Sequence, residues 1–318
     1  MRKSVFLAPA AMLLLAVACD DGSAAVEQAP ARTVLAAESQ ASSALDFTDA
    51  LSFKTDSFEL PAGKERYLCF TKTLQEDLVI DGYHTAGAPF VHHLIFARNR
   101  VPQKDGFEEC DEAFRMTWDP VFLTGAGATT LEFPKDAGHK IPKGTQMIVQ
   151  MHLLNASEEA IKSQVEIKMH RSSVANPRPV NSYVFGSPDV NLLPNQTGQV
   201  VGNCKMSENL EIIGAFPHMH MLGTSMTFEA GANEASLKTV FQRDPYSFDS
   251  QTVDRLAIKL APGDLTRVTC KYKNTTNHVI KFGESSLSEM CFLITFAVDR
   301  QFQSGCMEKI PPLPGLTQ

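Results

Sequence analysis

Short apolar segments separated by turn residues fill most of this sequence, and they restrict the fold more than any other feature. None of them shows a long apolar stripe at the 3.6-residue period of a helix, so helix content should be low. Short, regularly punctuated runs are typical of strands in β-sandwiches. The sequence therefore predicts an all-β fold of two tandem antiparallel, jelly-roll-like β-sandwich domains. The expected strands include residues 67–70, 78–80, 93–96, 145–154, 165–169, 210–216, 225–228, 256–260, 267–272 and 292–298.

The first residues have the composition of an export signal. Basic residues open the chain, and the apolar stretch 5–18 that follows is too short to span a bilayer comfortably. Cys19 comes next, where a bacterial lipoprotein carries its lipid; cleavage near Ala18 without lipidation is the alternative. We therefore expect a signal peptide over residues 1–18 and export to the periplasm or cell surface. The lipid on Cys19 would be the only contact with the membrane.

Composition and prolines predict how the rest of the chain divides. Residues 19–44 are rich in Ala, Ser, Glu and Gln and poor in aromatic residues, so they cannot bury enough surface to fold. Pro177 and Pro179 mark a domain boundary. The expected order is a lipid anchor and disordered tether (19–44), an N-terminal domain (45–176), a C-terminal domain (177–306) and a tail (307–318).

The charge of the chain limits its partners. The net charge is −7 and no basic run occurs, which argues against a nucleic-acid partner. We expect a small-molecule partner instead, and the oligomeric state stays open.

The cysteine count favours disulfides. Of seven cysteines, six remain if Cys19 carries lipid, and an even set in an exported chain is typical of disulfide bonds. Six cysteines allow 15 pairings, so counting does not choose among them. Buried free thiols are the alternative reading. The six are Cys69, Cys110, Cys204, Cys270, Cys291 and Cys306.

Five of the nine histidines lie in three strand-like apolar runs, which indicates a metal-binding function. On a strand, His218 and His220 would face the same side and hold one ion together. Adjacent residues face opposite sides, so His92 and His93 could share an ion only from a twist or a β-bulge. The remaining candidate imidazole is His152.

The residue types narrow the choice of metal. Three imidazoles suit zinc, copper or iron, whereas two imidazoles with the thioether of Met290 favour copper, with zinc second. Gln150, two residues before His152, is expected to support that histidine by hydrogen bonding. We expect Met219, Met221 and Met226 to fill the core, with extra sulfur ligands for copper as the alternative.

Four motifs in order resemble the copper type II, ascorbate-dependent monooxygenases, the family of dopamine β-monooxygenase and peptidylglycine α-hydroxylating monooxygenase. The resemblance covers roughly residues 50–306. It rests on His92-His93-Leu94-Ile95-Phe96, Gln150-Met151-His152, His218-Met219-His220-Met221-Leu222-Gly223 and Ser288-Glu289-Met290-Cys291.

The resemblance implies two copper ions per chain, one in each domain, facing each other across a cleft. His92, His93 and His152 would bind the electron-transfer copper. His218, His220 and Met290 would bind the catalytic copper. In the family, one atom of O2 enters a substrate C–H bond and the other leaves as water, with ascorbate or another one-electron donor as co-substrate. The alternative is a periplasmic copper-binding or copper-carrier lipoprotein without turnover.

By the same resemblance, each of the six cysteines has a partner. Cys69 would pair with Cys110, Cys204 with Cys306 and Cys270 with Cys291.

The sequence departs from the peptide-hydroxylating branch where that branch binds its substrate. An Arg stands there two residues before the first His of the His-x-His motif, and here that position is Phe216. A Tyr stands there four residues after the Met ligand, and here that position is Ile294, with Phe292 nearby. We therefore expect an apolar pocket and a small hydrophobic or aromatic substrate. Away from the motifs, His139 in the Lys-rich segment 135–143 is expected to be exposed to solvent.

Overall fold

β-Strands dominate the described part of the chain, which in this computed structural model comprises residues 45–110, 117–125, 127–283, 285, 287–301 and 303–308. All of these residues lie within one unit, Val34–Gln318. The predicted signal peptide, Cys19, the tether and most of the tail lie outside them. The strands are β1 (Leu51–Lys54), β2 (Phe58–Leu60), β3 (Glu65–Thr73), β4 (Leu78–Thr85), β5 (Val91–Asn99), β6 (Gly106–Glu109), β7 (Trp118–Gly125), β8 (Thr129–Glu132), β9 (Ala137–Ile141), β10 (Gln146–Leu154), β11 (Ile161–Ser163), β12 (Glu166–Arg171), β13 (Arg178–Gly186), β14 (Asn191–Leu192), β15 (Gln196–Lys205), β16 (Leu210–His218), β17 (Gly223–Gly231), β18 (Lys238–Arg243), β19 (Asp254–Leu260), β20 (Leu265–Asn274), β21 (Ile280–Lys281), β22 (Phe292–Val298) and β23 (Ser304–Cys306). Two 3₁₀ helices, Glu234–Ser236 and Phe248–Ser250, interrupt them.

The predicted all-β fold is confirmed. Each of the ten expected strand segments overlaps a strand, and the described residues contain no helix long and apolar enough to cross a bilayer. Strand-forming sequence alternates apolar and polar side chains, as in β20, where buried residues alternate with more exposed ones.

Three sheets carry most of the structure. A ten-stranded sheet runs in the order β1-β12-β4-β9-β13-β22-β16-β19, with β8 and β23 added at β4 and β13. A five-stranded sheet has the order β6-β3-β10-β5-β7, and a four-stranded sheet the order β15-β20-β17-β18. The largest sheet contains strands from both sides of residue 177, because β13 pairs in parallel with β9 and antiparallel with β22.

Two large groups of buried apolar side chains form the core. One consists of residues between Phe53 and Val180, together with four residues from later strands: Ile213, Phe216, Phe296 and Val298. The other consists of residues between Tyr183 and Ala297. Side chains of β16 and β22 therefore pack in both groups and connect the two halves of the sequence. These two strands also approach the candidate site.

Three disulfides connect the six cysteines. The bonds join Cys69 to Cys110, Cys204 to Cys306 and Cys270 to Cys291, as the resemblance implied. The last bond fixes the residue that follows Met290.

One expectation about the histidines is wrong. His139 is not exposed but buried on β9, where its Nδ1 lies 2.7 Å from the hydroxyl of Tyr83. The segment enters the sheet beside β4, and the lysines that suggested a solvated loop point away from its buried face.

Candidate metal centre

The first histidine group lies on neighbouring strands of the five-stranded sheet. His93 on β5 is directly opposite His152 on β10, and the pairing then skips His92, so that Leu153 faces Val91. This irregularity is the bulge that two adjacent histidines need to face one side. The ring centroids of His92 and His93 lie 5.3 Å and 5.0 Å from that of His152.

Three nitrogen atoms in this group are buried and lack hydrogen-bond partners. They are the Nδ1 atoms of His92, His93 and His152, which have no partner among the described residues. Buried polar atoms are nearly always satisfied, so three adjacent exceptions indicate a missing ligand. Neutral imidazole nitrogens are suitable donors for copper.

Glu65 orients one of these rings. Its Oε1 lies 2.6 Å from Nε2 of His152, on the side of the ring opposite the unpartnered Nδ1. The carboxylate accepts a hydrogen bond here, so Nε2 carries the hydrogen and Nδ1 keeps its lone pair for a metal. Tyr67 stacks on the same ring, with centroids 4.2 Å apart. Gln150 was the support expected for His152, and that role stays a prediction.

The second group begins at the end of β16. His218 is the last residue of that strand, and its Nδ1 lies 3.0 Å from Oε1 of Gln251. The amide of Gln251 is fixed because its Nε2 donates to the carbonyl of Phe248. Oε1 therefore accepts from Nδ1–H, and Nε2 of His218 is the nitrogen that would bind a metal.

His220 lies beyond the strand, so strand alternation does not place it. Its Nδ1 lies 3.0 Å from the carbonyl oxygen of Ser288, and its backbone amide donates to Oε2 of Glu289 at 2.8 Å. The same carboxylate accepts from the amides of Leu222 at 2.7 Å and Met290 at 3.2 Å. One buried side chain thus fixes the backbone of His220 against that of Met290. The ring of His218 is 5.2 Å from that of His220.

The two groups are direct neighbours. The ring centroids of His93 and His218 are 6.1 Å apart. Phe248 also touches both groups, with its ring 5.2 Å from His92 and 6.2 Å from His220.

Burial keeps four of these histidines neutral, namely His93, His152, His218 and His220. It lowers the pKa of His93 well below its ordinary value, and the charges of neighbouring histidines add to this effect. Burial also lowers the pKa of His152 and of His218, against the opposing influence of Glu65 and Gln251. For His220 burial lowers the pKa to about 3. Neutral imidazoles at pH 7 have the lone pairs that metal binding requires.

A pocket of about 550 Å³ opens beside the first group. His92 and His152 form part of its wall, together with Glu65, Phe248 and Ser247. It is large enough for a small organic molecule.

The predicted substrate-pocket residues surround His218. Phe216 lies two residues before it on the same face of β16, with the two rings nearly parallel and 6.0 Å apart. On β22, Ile294 is opposite Phe216 and Phe292 is opposite His218. The face of the sheet next to His218 is therefore apolar.

The residues present fit copper, although within the described ranges no three His, Cys, Asp or Glu side chains are already arranged around one point as metal ligands. The ligand assignments therefore stay predictions. Sequence reasoning missed the supporting residues Glu65, Gln251 and Glu289. Of these three, only Glu289 could have been recognised from the sequence, because it is a charged residue beside an apolar strand and next to Met290.

Comparison with solved structures gives only weak likeness. A fucolectin from striped bass serum is 8% identical, with coverage of 76% of this chain and 85% of the lectin and a TM-score of 0.22. The CBM32-1 and CBM32-2 domains of Clostridium perfringens ZmpB, in complex with GalNAc, are 7% identical, with coverage of 71% and 79% and a TM-score of 0.21. An allantoicase is 10% identical, with coverage of 74% and 78% and a TM-score of 0.21. At these TM-scores the likeness says nothing about fold or function.

Sequence comparison is more informative about the second half of the chain. No curated protein sequence is significantly similar to the whole chain. Residues 183–314, however, match the model of the copper type II ascorbate-dependent monooxygenase, C-terminal domain. This segment contains His218, His220 and Met290. Over residues 183–314 the chain is therefore similar to the copper type II ascorbate-dependent monooxygenases, the family that its motifs resemble.

Proposed function

We propose that this protein is a copper-dependent monooxygenase that binds two copper ions and hydroxylates a C–H bond of a small hydrophobic or aromatic substrate. O2 and a one-electron donor such as ascorbate would be its co-substrates. The proposal rests mainly on the presence of two adjacent donor groups, one of them with three buried, unpartnered imidazole nitrogens. A protein that only carries copper needs one such group.

The two groups differ in chemistry. Copper bound there would pass electrons to O2 and activate it towards a C–H bond. His92, His93 and His152 offer three imidazole nitrogens, whereas His218 and His220 would act with the thioether of Met290. A soft thioether favours the reduced ion, which is the form that must meet O2.

The chain prepares the second group for this task by fixing its rings. Gln251 holds Nδ1 of His218, and the carbonyl of Ser288 holds Nδ1 of His220. Both contacts turn the opposite nitrogen of each ring towards the place where a metal would bind. Glu289 keeps the backbone of Met290 beside that of His220. A site held in this way needs little rearrangement when the metal binds.

The substrate class follows from the surroundings of His218. Phe216 is buried, Ile294 lies opposite it, and Phe292 lies opposite His218. No basic residue occupies these three positions, so a substrate carboxylate would find no partner there. A neutral aromatic or aliphatic compound would bury its apolar surface against them.

We also propose that the protein is exported and anchored through lipid on Cys19. The three disulfides are consistent with an oxidising compartment. Metabolic labelling with palmitate should mark the full chain and fail to mark Cys19→Ser.

The test of the enzymatic function uses the full chain in detergent, loaded with copper and supplied with ascorbate under ¹⁸O2. Mass spectrometry of a panel of aromatic, aliphatic and glycine-extended peptide compounds should show one labelled oxygen in a neutral apolar product. Met290→Ala should abolish that product. Met169→Ala provides a matched control, because Met169 is equally buried but lies on β12, away from the site. Saturation at one copper per chain, product that survives Met290→Ala, or preference for the peptides would contradict the proposal.

A further inference from the structure

The pocket beside His92 and His152 has a lining that the hydroxylation site does not explain. It borders the ligands expected for electron transfer, whereas His218, His220 and Met290 are not among the residues that line it. A molecule in this pocket would therefore contact the imidazoles of the first group. Electrons delivered there would reach that copper through its own ligands.

The charge of the lining favours a neutral occupant. Among the described residues that form the wall there is no Lys or Arg, and Glu65 contributes a carboxylate. The chain as a whole carries a net charge of −7. Ascorbate is an anion at neutral pH, so in the copper-free protein both Glu65 and the overall charge oppose its entry.

The apolar part of the lining favours an aromatic ring. Leu154 and Phe248 form part of the wall, and Met221 and Leu287 stand at the rim with 61% and 77% of their surface exposed. Met221 was expected to fill the core, and the structure places it instead at this opening. Exposed apolar side chains grouped around a concave site are typical of a binding surface.

Two polar groups in the wall suit hydroxyl groups on such a ring. The carboxylate of Glu65 is an acceptor for a phenolic O–H. Ser247, which also lines the pocket, makes no capping hydrogen bond with its side chain to the short helix that follows. A ring that carries two hydroxyl groups matches a lining that combines apolar side chains with two polar ones.

We propose that this pocket binds the reductant and that the reductant is a neutral hydroquinone. The inference rests on the proposed function, because it takes His92 and His152 as ligands of the electron-transfer copper. The reaction balances: hydroquinone + RH + O2 gives quinone + ROH + H2O. The hydroquinone loses two electrons and two protons, which are the two electrons and two protons that reduction of the second oxygen atom to water consumes.

The first test measures binding to the copper-free full chain in detergent under argon, where no redox reaction interferes. The probes are 1,4-hydroquinone and ascorbate, followed by saturation-transfer NMR and calorimetry. Hydroquinone should bind more tightly than ascorbate. Met221→Asp and Leu287→Asp should each weaken hydroquinone binding by about tenfold or more, because they place a charge beside the ring. Val101→Asp is the matched control, since Val101 is also 61% exposed but does not line the pocket.

The second test follows the loss of the copper(II) EPR signal in copper-loaded protein without O2. Leu287→Asp should slow reduction by hydroquinone by about tenfold and change reduction by ascorbate by less than about twofold. Equal binding of hydroquinone to wild-type protein and both rim variants, or no binding at all, would overturn the inference. So would displacement of hydroquinone by hydroxylation substrates lacking hydroxyl groups, which would assign the pocket to the substrate.

The two proposals fail in different ways. Protein that binds hydroquinone and accepts its electrons but never forms a hydroxylated product would contradict the monooxygenase function alone. Protein that hydroxylates with ascorbate and ignores the rim variants would contradict the hydroquinone pocket alone.

Discussion

Replacement of Glu289 by Gln should loosen the second ligand group while leaving its ligands in the chain. Glu289 is fully buried, and its carboxylate accepts from the amides of His220, Leu222 and Met290. Burial raises its pKa to about 7, and the three amides oppose that rise. No other side chain among the described residues is shown to join the backbones of His220 and Met290.

The size of the effect follows from these contacts. In Glu289→Gln the remaining oxygen can still accept from His220 and Met290, but the new NH2 group faces the amide of Leu222. One hydrogen bond to a charged group is lost and a buried N–H is left unsatisfied, at a cost of about 2–3 kcal/mol of unfolding free energy. For a chain of this size that corresponds to a decrease in Tm of about 3–5 °C.

Two measurements check this prediction, calorimetric Tm and the copper–sulfur scattering in X-ray absorption spectra of the reduced protein. Copper affinity of the second group should fall by about 10–100-fold, as for other changes behind a metal ligand. Glu229→Gln on β17 is the control and should leave both values unchanged. A Glu289→Gln protein with wild-type Tm and undiminished copper–sulfur scattering would refute the positioning role.

Three further predictions concern other parts of the molecule. Glu65→Gln removes the carboxylate that accepts a hydrogen bond from Nε2 of His152, so the first group should bind copper about 10–100-fold more weakly in chelator competition. Copper–sulfur scattering should stay intact, and an unchanged copper affinity would contradict the prediction. Burial lowers the pKa of His139 well below its ordinary value, so below about pH 6.5 the unfolded chain binds a proton that the folded chain does not. The contribution of neutral His139 to the free energy of unfolding is therefore present above that pH and is lost as pH falls, by up to about 1.4 kcal/mol per pH unit. His139→Gln should make the free energy of unfolding, measured by urea titration at pH 6.5 and 5, depend less on pH. The bond between Cys204 and Cys306 spans 102 residues. Replacing both cysteines by Ser should therefore reduce the free energy of unfolding by about 4–5 kcal/mol on the chain-entropy estimate. A decrease of less than about 1 kcal/mol would refute that reasoning.

Strand prediction succeeded where an apolar run is continuous or alternates with polar residues, and failed where other signals applied. β7 was missed because Asp119 and Pro120 interrupt its apolar run, although all eight of its residues are buried in the structure. β13 was missed because its start, with Pro179 as its second residue, looked like a linker. In the structure that segment pairs with β9 and β22, an arrangement that depends on residues far away in the sequence.

The candidate ligands could be proposed from the sequence because few residue types bind copper and their order resembles that of a known family. Their supports could not, because each contact joins distant segments. Glu65 and His152 are 87 residues apart, Gln251 and His218 are 33 apart, and Glu289 follows His220 by 69 residues. A glutamate or glutamine has no short-range pattern that marks it as a support; its role arises only from the fold.

The spacing between the two ligand groups is itself built into the sheets. His93 lies opposite Gly125 on β7, and the amide of Gly125 donates to the carbonyl of Gln251 at 2.7 Å. The approach is so close that a Cβ at residue 125 would lie 2.6 Å from the Cβ of Gln251, so only glycine fits. Gln251 in turn holds Nδ1 of His218. A strand pairing, a backbone hydrogen bond and a buried amide therefore connect the two groups, and none of these contacts involves a flexible surface side chain. The 6.1 Å between the rings of His93 and His218 is thus fixed by backbone packing, so electron transfer between the groups would not depend on a hinge motion that brings them together.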